Sequence, residues 1–178
     1  VKGDGVGTIY HLAAILSAAG EKNPDLCQRV NVGGMTNVLE TAMINDLRVY
    51  APSSIAVFGP DAPKIAAQDS SLNPTTTYGE TKRTGEALAG EYLTSFGVDC
   101  RGIRYPGLVS WQAPAGGGTT DYAVEIFHAA LEKGHYECFV GPDTRLPMMY
   151  IDDAIRATLE LMDAPTESLG SSRAGYNV

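Results

Sequence analysis

Residues 48–54, Arg-Val-Tyr-Ala-Pro-Ser-Ser, read as a short apolar strand that runs out into a serine turn. What flanks this stretch decides the fold. Upstream, Leu26, Val30, Val38, Leu39, Ala42 and Met43 recur at helical spacing from an Asn23-Pro24-Asp25 start to about Asn45. Before that helix, Thr8 to Ala14 (TIYHLAA) is short, apolar and rich in strand formers, so it reads as a buried strand. Downstream, a second helical pattern carries Tyr78, Ala87, Leu88, Tyr92 and Phe96 and stops at Gly97, after which Val98 to Tyr105 gives a third strand. Strand, helix, strand, helix, strand predicts an α/β architecture: a doubly wound parallel sheet with helices on both faces. Ligands of such sheets bind at the carboxyl ends of the strands, here the segments after His11, Tyr50 and Arg104.

The remainder reads as mixed α/β, with a helix over Asp121 to Lys133, short strands at Tyr136 to Val140 and Met148 to Ile151, and a helix over Asp152 to Met162. We therefore divide the chain into residues 1–110 and a smaller part, 111–178. No repeat, low-complexity tract or long linker is visible. Gly33 and Gly34 fall inside the first helix, where each costs about 1 kcal/mol relative to alanine, and close packing on a neighbouring element is the expected reason. Gly116 to Gly118 are read as a mobile loop over the cleft.

With 178 residues the chain suits one domain with a sizeable core. Its net charge of -8 repels phosphate backbones and argues against a nucleic-acid partner. Cys27, Cys100 and Cys138 are far apart and odd in number, while His11, His128 and His135 show no ligand spacing. No metal site is expected, the histidines read as structural, and a reducing compartment is the better fit. No uninterrupted run reaches the ~18 apolar residues of a membrane span, and no cleavable signal opens the sequence. Cytoplasm, or the mitochondrial matrix in a eukaryote, is the expected location.

The chemistry-bearing stretch is Pro74-Thr-Thr-Thr-Tyr-Gly-Glu-Thr-Lys82, in which Tyr78 and Lys82 stand four residues apart and so share one face of a helix. A tyrosine with a free pKa near ~10 is a poor base at neutral pH, but an adjacent ammonium favours its phenolate. Taken alone the spacing is weak, because a chain with nine tyrosines meets it often by chance.

Four ordered segments raise its weight. His11-Leu-Ala-Ala14, the Asn31 to Glu40 run (NVGGMTNVLE), Ser53 to Gly59 (SSIAVFG) and Tyr78 to Lys82 resemble, in order and spacing, the extended short-chain dehydrogenase/reductase superfamily. Within it, LSAAGEKNP, APSSIAVFGPDAPK, RYPGLVS, GGTTDYAVEIF and LPMMYIDDA look like the L-threonine 3-dehydrogenase branch. The resemblance implies a Rossmann-like fold, here without its N-terminal strands, joined to a small substrate-binding part.

It implies residue roles as well. Tyr78 would be the general base; Lys82 would hydrogen-bond the nicotinamide ribose of NAD and lower the tyrosine pKa. Ser54 would hold the substrate oxygen, with Ser53 as the alternative one residue away. Leu12, Ala13 and Ala14 would line the cofactor, and Tyr105, Pro106, Gly107 and Leu108 would approach the nicotinamide. Ser17, Thr119 and Asp121 match positions that contact an amino-acid substrate, L-threonine, whose hydroxyl would be oxidised to give 2-amino-3-ketobutyrate. A homodimer through the helices at 23–45 and 76–96 is implied too.

Two features of the superfamily are missing: the glycine-rich turn after its first strand and the acidic residue that follows its second. No glycine-rich turn links a strand to a helix, and Gly3 to Thr8 (GDGVGT) precedes a strand instead. The expectation is that the chain is a fragment holding the catalytic half of a site, and that alone it binds NAD poorly. Two other readings stay open: a nucleotide-sugar epimerase or dehydratase, which shares the Ser, Tyr and Lys, and a non-catalytic relative that kept the fold.

Overall fold

A computed structural model describes residues 5–112 and 120–178. The elements in order are strand β1 (Thr8–Tyr10), helices α1 (Ser17–Lys22), α2 (Pro24–Cys27) and α3 (Gly34–Asn45), strands β2 (Arg48–Tyr50) and β3 (Ser53–Ser54), helix α4 (Thr77–Phe96), strands β4 (Cys100–Arg101), β5 (Ile103–Tyr105) and β6 (Gly107–Val109), helix α5 (Tyr122–Lys133), strand β7 (Met148–Tyr150), helix α6 (Ile151–Asp163) and strand β8 (Tyr176–Asn177).

Every strand pair is parallel, as predicted. β2 lies between β1 and β4, β3 pairs with β5, and β5 pairs with β8. The Ala51 N–H donates to Arg101 O at 2.9 Å, bridging the first group to the second. β2–β3 and β4–β5 are thus two interrupted strands of one surface. Pro52 has no N–H to give a ladder, which explains why the predicted strand over 48–54 splits there.

Alternation along the strands sorts side chains to two faces. Val49 and Cys100 join Met35, Leu39, Ala42, Leu47, Ala89 and Val98 in the core beneath α3 and α4. Tyr50 and Arg101 serve the α6 side: the Tyr50 hydroxyl meets Tyr105 and Thr158, and Arg101 Nη1 donates to Leu161, Met162 and Ala164 carbonyls at 2.7, 3.1 and 2.7 Å. Those are the orphan carbonyls of the α6 C-terminus, where a guanidinium is doubly favourable. Helices therefore cover both faces.

The helix signals act as read. The Asn23 side chain accepts from Leu26 N with Pro24 in the first turn, and Gly97 ends α4 at φ 74°. Four expectations are corrected. The strand from Thr8 ends at Tyr10, because Ile15 N–H and C=O are taken by the Asn31 side chain at 2.7 and 3.0 Å, drawing the following loop off the sheet. The helix from Asn23 is not uniform, since Gln28–Gly33 forms a wider π-helical turn, and α1 precedes it unpredicted. A Cβ on Gly33 would meet nothing, so close packing does not explain it; one on Gly34 would touch the His11 ring at 3.6 Å. Residues 136–140 form no strand: β7 pairs with β6, and Phe139 instead stacks edge-on to Tyr122 with centroids 5.7 Å apart.

Among the described residues no helix is long and apolar enough to cross a membrane.

Candidate active site

At the carboxyl ends of the strands the chain opens into a cleft of about 490 Å³. Its lining comes from α1 (Leu16 and Ser17 at its start), the turn after β3 (Ser54, Ile55, Ala56, Phe58), the start of α4 (Thr75, Thr76, Tyr78), β6 with Pro106, Gly107 and Leu108, and the start of α5 (Thr120, Asp121). Ser17, Ser54, Tyr78, Pro106, Gly107, Leu108 and Asp121, seven of the residues singled out from sequence, therefore meet on one surface. Thr119 and the Gly116–Gly118 loop lie outside the described residues.

The local geometry explains how Tyr78 reaches Ser54. Thr76 caps α4, its hydroxyl accepting from Gly79 N at 3.1 Å, while Glu21 of α1 accepts from Thr77 N at 2.7 Å. Gly79 allows the helix to press on the turn that follows Ser54: a Cβ there would lie 2.3 Å from Ala56 O. Ser54 Oγ accepts from Ala56 N at 3.2 Å and lines the cleft together with Tyr78. Ser53, the other candidate, is buried and donates to Glu86 Oε1 at 2.5 Å. Of the two serines only Ser54 faces the cleft.

Lys82 stands one turn behind Tyr78. Its ammonium lies 5.6 Å from the centroid of the Tyr78 ring and donates to Pro52 O at 2.7 Å. Burial lowers the Lys82 pKa to about 8, against the opposing fields of Cys27 and Glu86. Tyr78 moves the other way: burial raises its pKa, and the influence of the Ser54 hydroxyl offsets this only in part. The expectation that Lys82 pulls the phenol pKa down is thus not met here. The ammonium sits over the ring face and is engaged by Pro52, so desolvation of the phenolate wins.

Ala13 and Ala14, with Lys82 and His11, line a narrow cavity of about 40 Å³ at the end of β1. Leu12 is 68 % exposed and lines neither space. The Tyr105 hydroxyl bonds to Tyr50, Thr158 and Ala154 O, so it is Pro106 and Gly107 that border the cleft rather than the Tyr105 side chain. Small alanines beside a half-buried ammonium at the carboxyl end of a parallel sheet fit the nicotinamide-ribose end of a dinucleotide. Among the described residues no glycine-rich turn leads from a strand into a helix, so nothing here fits the pyrophosphate.

Sequence reasoning missed Asn31. Buried in the π-helical turn, it holds Ile15 by both backbone groups and donates to Thr81 Oγ1 at 3.0 Å, tying the loop after β1 to the helix of Tyr78 and Lys82. A polar residue interrupting an apolar helical pattern is the signal that marks it. Glu86, four residues beyond Lys82, was visible by the same spacing that singled out Tyr78 and Lys82.

Residues 1–178 match the family described as NAD dependent epimerase/dehydratase. The chain is 48% identical over 171 residues to the mitochondrial L-threonine 3-dehydrogenase of Bos taurus, an alignment covering 96% of this chain and 45% of that protein. It is 49% identical over 172 residues to an uncharacterized epimerase/dehydratase of Staphylococcus haemolyticus, covering 96% and 54%. A solved structure titled monomeric L-threonine 3-dehydrogenase from a metagenome, in apo form, superposes with TM-score 0.93 at 60% identity, covering 97% of this chain and 56% of that one. The chain spans about half the length of the relatives it matches.

Proposed function

The chain belongs to the NAD dependent epimerase/dehydratase family, and within it we propose that these residues form the catalytic half of an L-threonine 3-dehydrogenase. The observation that carries the reading is that Ser54 and Tyr78 come together on the wall of one cleft, with Lys82 one turn behind.

Oxidising a secondary alcohol requires a proton to leave the hydroxyl oxygen as a hydride leaves the same carbon. In this reading Ser54 orients the substrate oxygen and Tyr78, as phenolate, takes its proton, leaving a ketone, 2-amino-3-ketobutyrate. A bound NAD would supply the hydride acceptor. Ala13, Ala14, Lys82, Pro106 and Gly107 would hold the nicotinamide end, with Leu108 at its margin. Lys82, one turn behind Tyr78, would hydrogen-bond the ribose of the nicotinamide end. A zwitterionic substrate needs partners for two charges. Ser17 and Asp121, which both line the cleft, supply a hydroxyl and a carboxylate suited to them, and Thr119 is the third expected contact.

The Bos taurus relative and the metagenome structure are both L-threonine 3-dehydrogenases, which favours this substrate over a sugar nucleotide. A homodimer through the helices at 23–45 and 76–96 is part of the proposal, tested by sedimentation of the complete protein. The function itself is tested by NADH absorbance with NAD and L-threonine, with L-serine and a UDP-sugar in parallel. Reduction with threonine alone is expected; turnover of the UDP-sugar alone would replace the reading.

A further inference from the structure

Tyr78, Lys82 and Glu86 follow one another at four-residue steps along α4, so their side chains rise along one face of the helix. The proposed reaction uses the first two and leaves Glu86 without a part. Its carboxylate nonetheless accepts four hydrogen bonds. Ser53 Oγ donates to Oε1 at 2.5 Å; Arg104 Nε donates to both oxygens at 2.9 and 3.2 Å and Nη2 to Oε2 at 2.7 Å. Both charged side chains are nearly dry, Arg104 at 6% and Glu86 at 10% exposure.

The surroundings are built to keep it there. Arg104 also donates to Asn177 Oδ1 at 3.1 Å and Gln68 O at 3.3 Å. Gln68 in turn donates to Gly175 O at 2.6 Å and accepts from Asn177 N at 2.8 Å. Gly175 leaves the space the carboxylate fills, since a Cβ there would lie 2.4 Å from Glu86 Cδ. Three strands and the segment through Gln68 thus converge on one group of α4. Because Ser53 precedes Ser54, holding Ser53 on the helix sets the backbone that carries Ser54 toward Tyr78.

We infer that Glu86 is a positioning residue for the reaction: its carboxylate ties Ser53 of β3 to α4, so that Ser54 meets Tyr78, and it supplies the negative charge that the Lys82 ammonium faces. This rests on the reading of the cleft as an alcohol-oxidising site. The groups bearing on Lys82 are His11 after β1, Cys27 of α2, and Tyr78 and Glu86 on its own helix, while Arg104 of β5 faces Glu86. Burial disfavours the ammonium, and Glu86 is one of two groups that oppose this.

Two variants of the complete protein separate shape from charge: Glu86→Gln keeps the length and removes the charge, and Glu86→Asp keeps the charge and shortens the reach. Competitive acetylation of Lys82 against pH, read by mass spectrometry of its peptide, reports the charge without any turnover. The midpoint is expected to fall by roughly one pH unit in Glu86→Gln and to stay in place in Glu86→Asp. In turnover with threonine, both variants are expected to lose roughly tenfold in kcat with KM little changed. Ser53→Ala, which leaves the Glu86–Arg104 pair intact, is expected to lose kcat severalfold and stands in should the Glu86 variants not fold. An unmoved midpoint in Glu86→Gln, or a kcat unchanged in all three variants, overturns the inference. A wild-type protein inert toward threonine overturns the functional reading instead, and the Lys82 midpoint still decides the role of Glu86.

Discussion

Lys82 donates from its ammonium to the carbonyl oxygen of Pro52 at 2.7 Å, joining the helix that carries Tyr78 to the strand that leads into Ser54. The bond spans the break between β2 and β3, where Pro52 withholds an N–H from the ladder. A charge placed there helps the chemistry and does little for stability, since burial already lowers its pKa to about 8. Lys82→Met is accordingly expected to lower kcat/KM by roughly 10²-fold. Its unfolding free energy changes by no more than about 1 kcal/mol, measured by denaturant titration.

Burial raises the Tyr78 pKa, so at neutral pH the phenol is largely protonated and the base form grows as the pH rises. The kcat/KM for threonine oxidation is expected to climb from about pH 7 to about pH 9. Ketone reduction, which needs the protonated phenol, does not share that rise. Tyr78→Phe removes the base and costs roughly 10²–10⁴-fold in kcat. Steady-state rates in both directions across the range check both statements.

Ser53 and Ser54 are adjacent and do different things. Ser54→Ala loses the group that orients the reacting oxygen and is expected to reduce kcat by roughly 10²-fold, with melting unchanged. Ser53→Ala leaves a nearly buried carboxylate short of a donor and is expected to destabilise by about 1–3 kcal/mol. Paired kinetics and thermal melts of the two variants distinguish them.

Asp99 pairs with Arg101, whose side chain is fully buried, and with Arg173. Burial would raise its pKa, but the two guanidiniums outweigh that and hold it below its ordinary 3.8. A carboxyl depressed in the folded state contributes stability that is present above the unfolded pKa and is lost as pH falls through the folded one. Asp99→Asn is expected to cost roughly 3–5 kcal/mol near neutral pH, because Arg101 is left buried without its charge partner. The deficit narrows below about pH 4, where the wild-type carboxylate protonates too. Urea unfolding at several pH values measures it.

What the sequence determined by itself was the alternation of strands and helices and the Tyr78–Lys82 pair, because hydrophobic period, the Asn23 cap and the Gly97 stop act within a few residues. These local rules carried the parallel sheet, while the family resemblance named the site residues, seven of which line the cleft at its carboxyl edge. They failed where partners are distant in sequence. Which of Ser53 and Ser54 faces the cleft depends on Glu86, which lies 33 residues away. The end of β1 depends on Asn31, and the loss of the strand at 136–140 on β7 pairing elsewhere. The direction of the Tyr78 pKa was decided last of all, since it turns on how completely the folded chain strips water from the phenol, a quantity no spacing along the chain encodes.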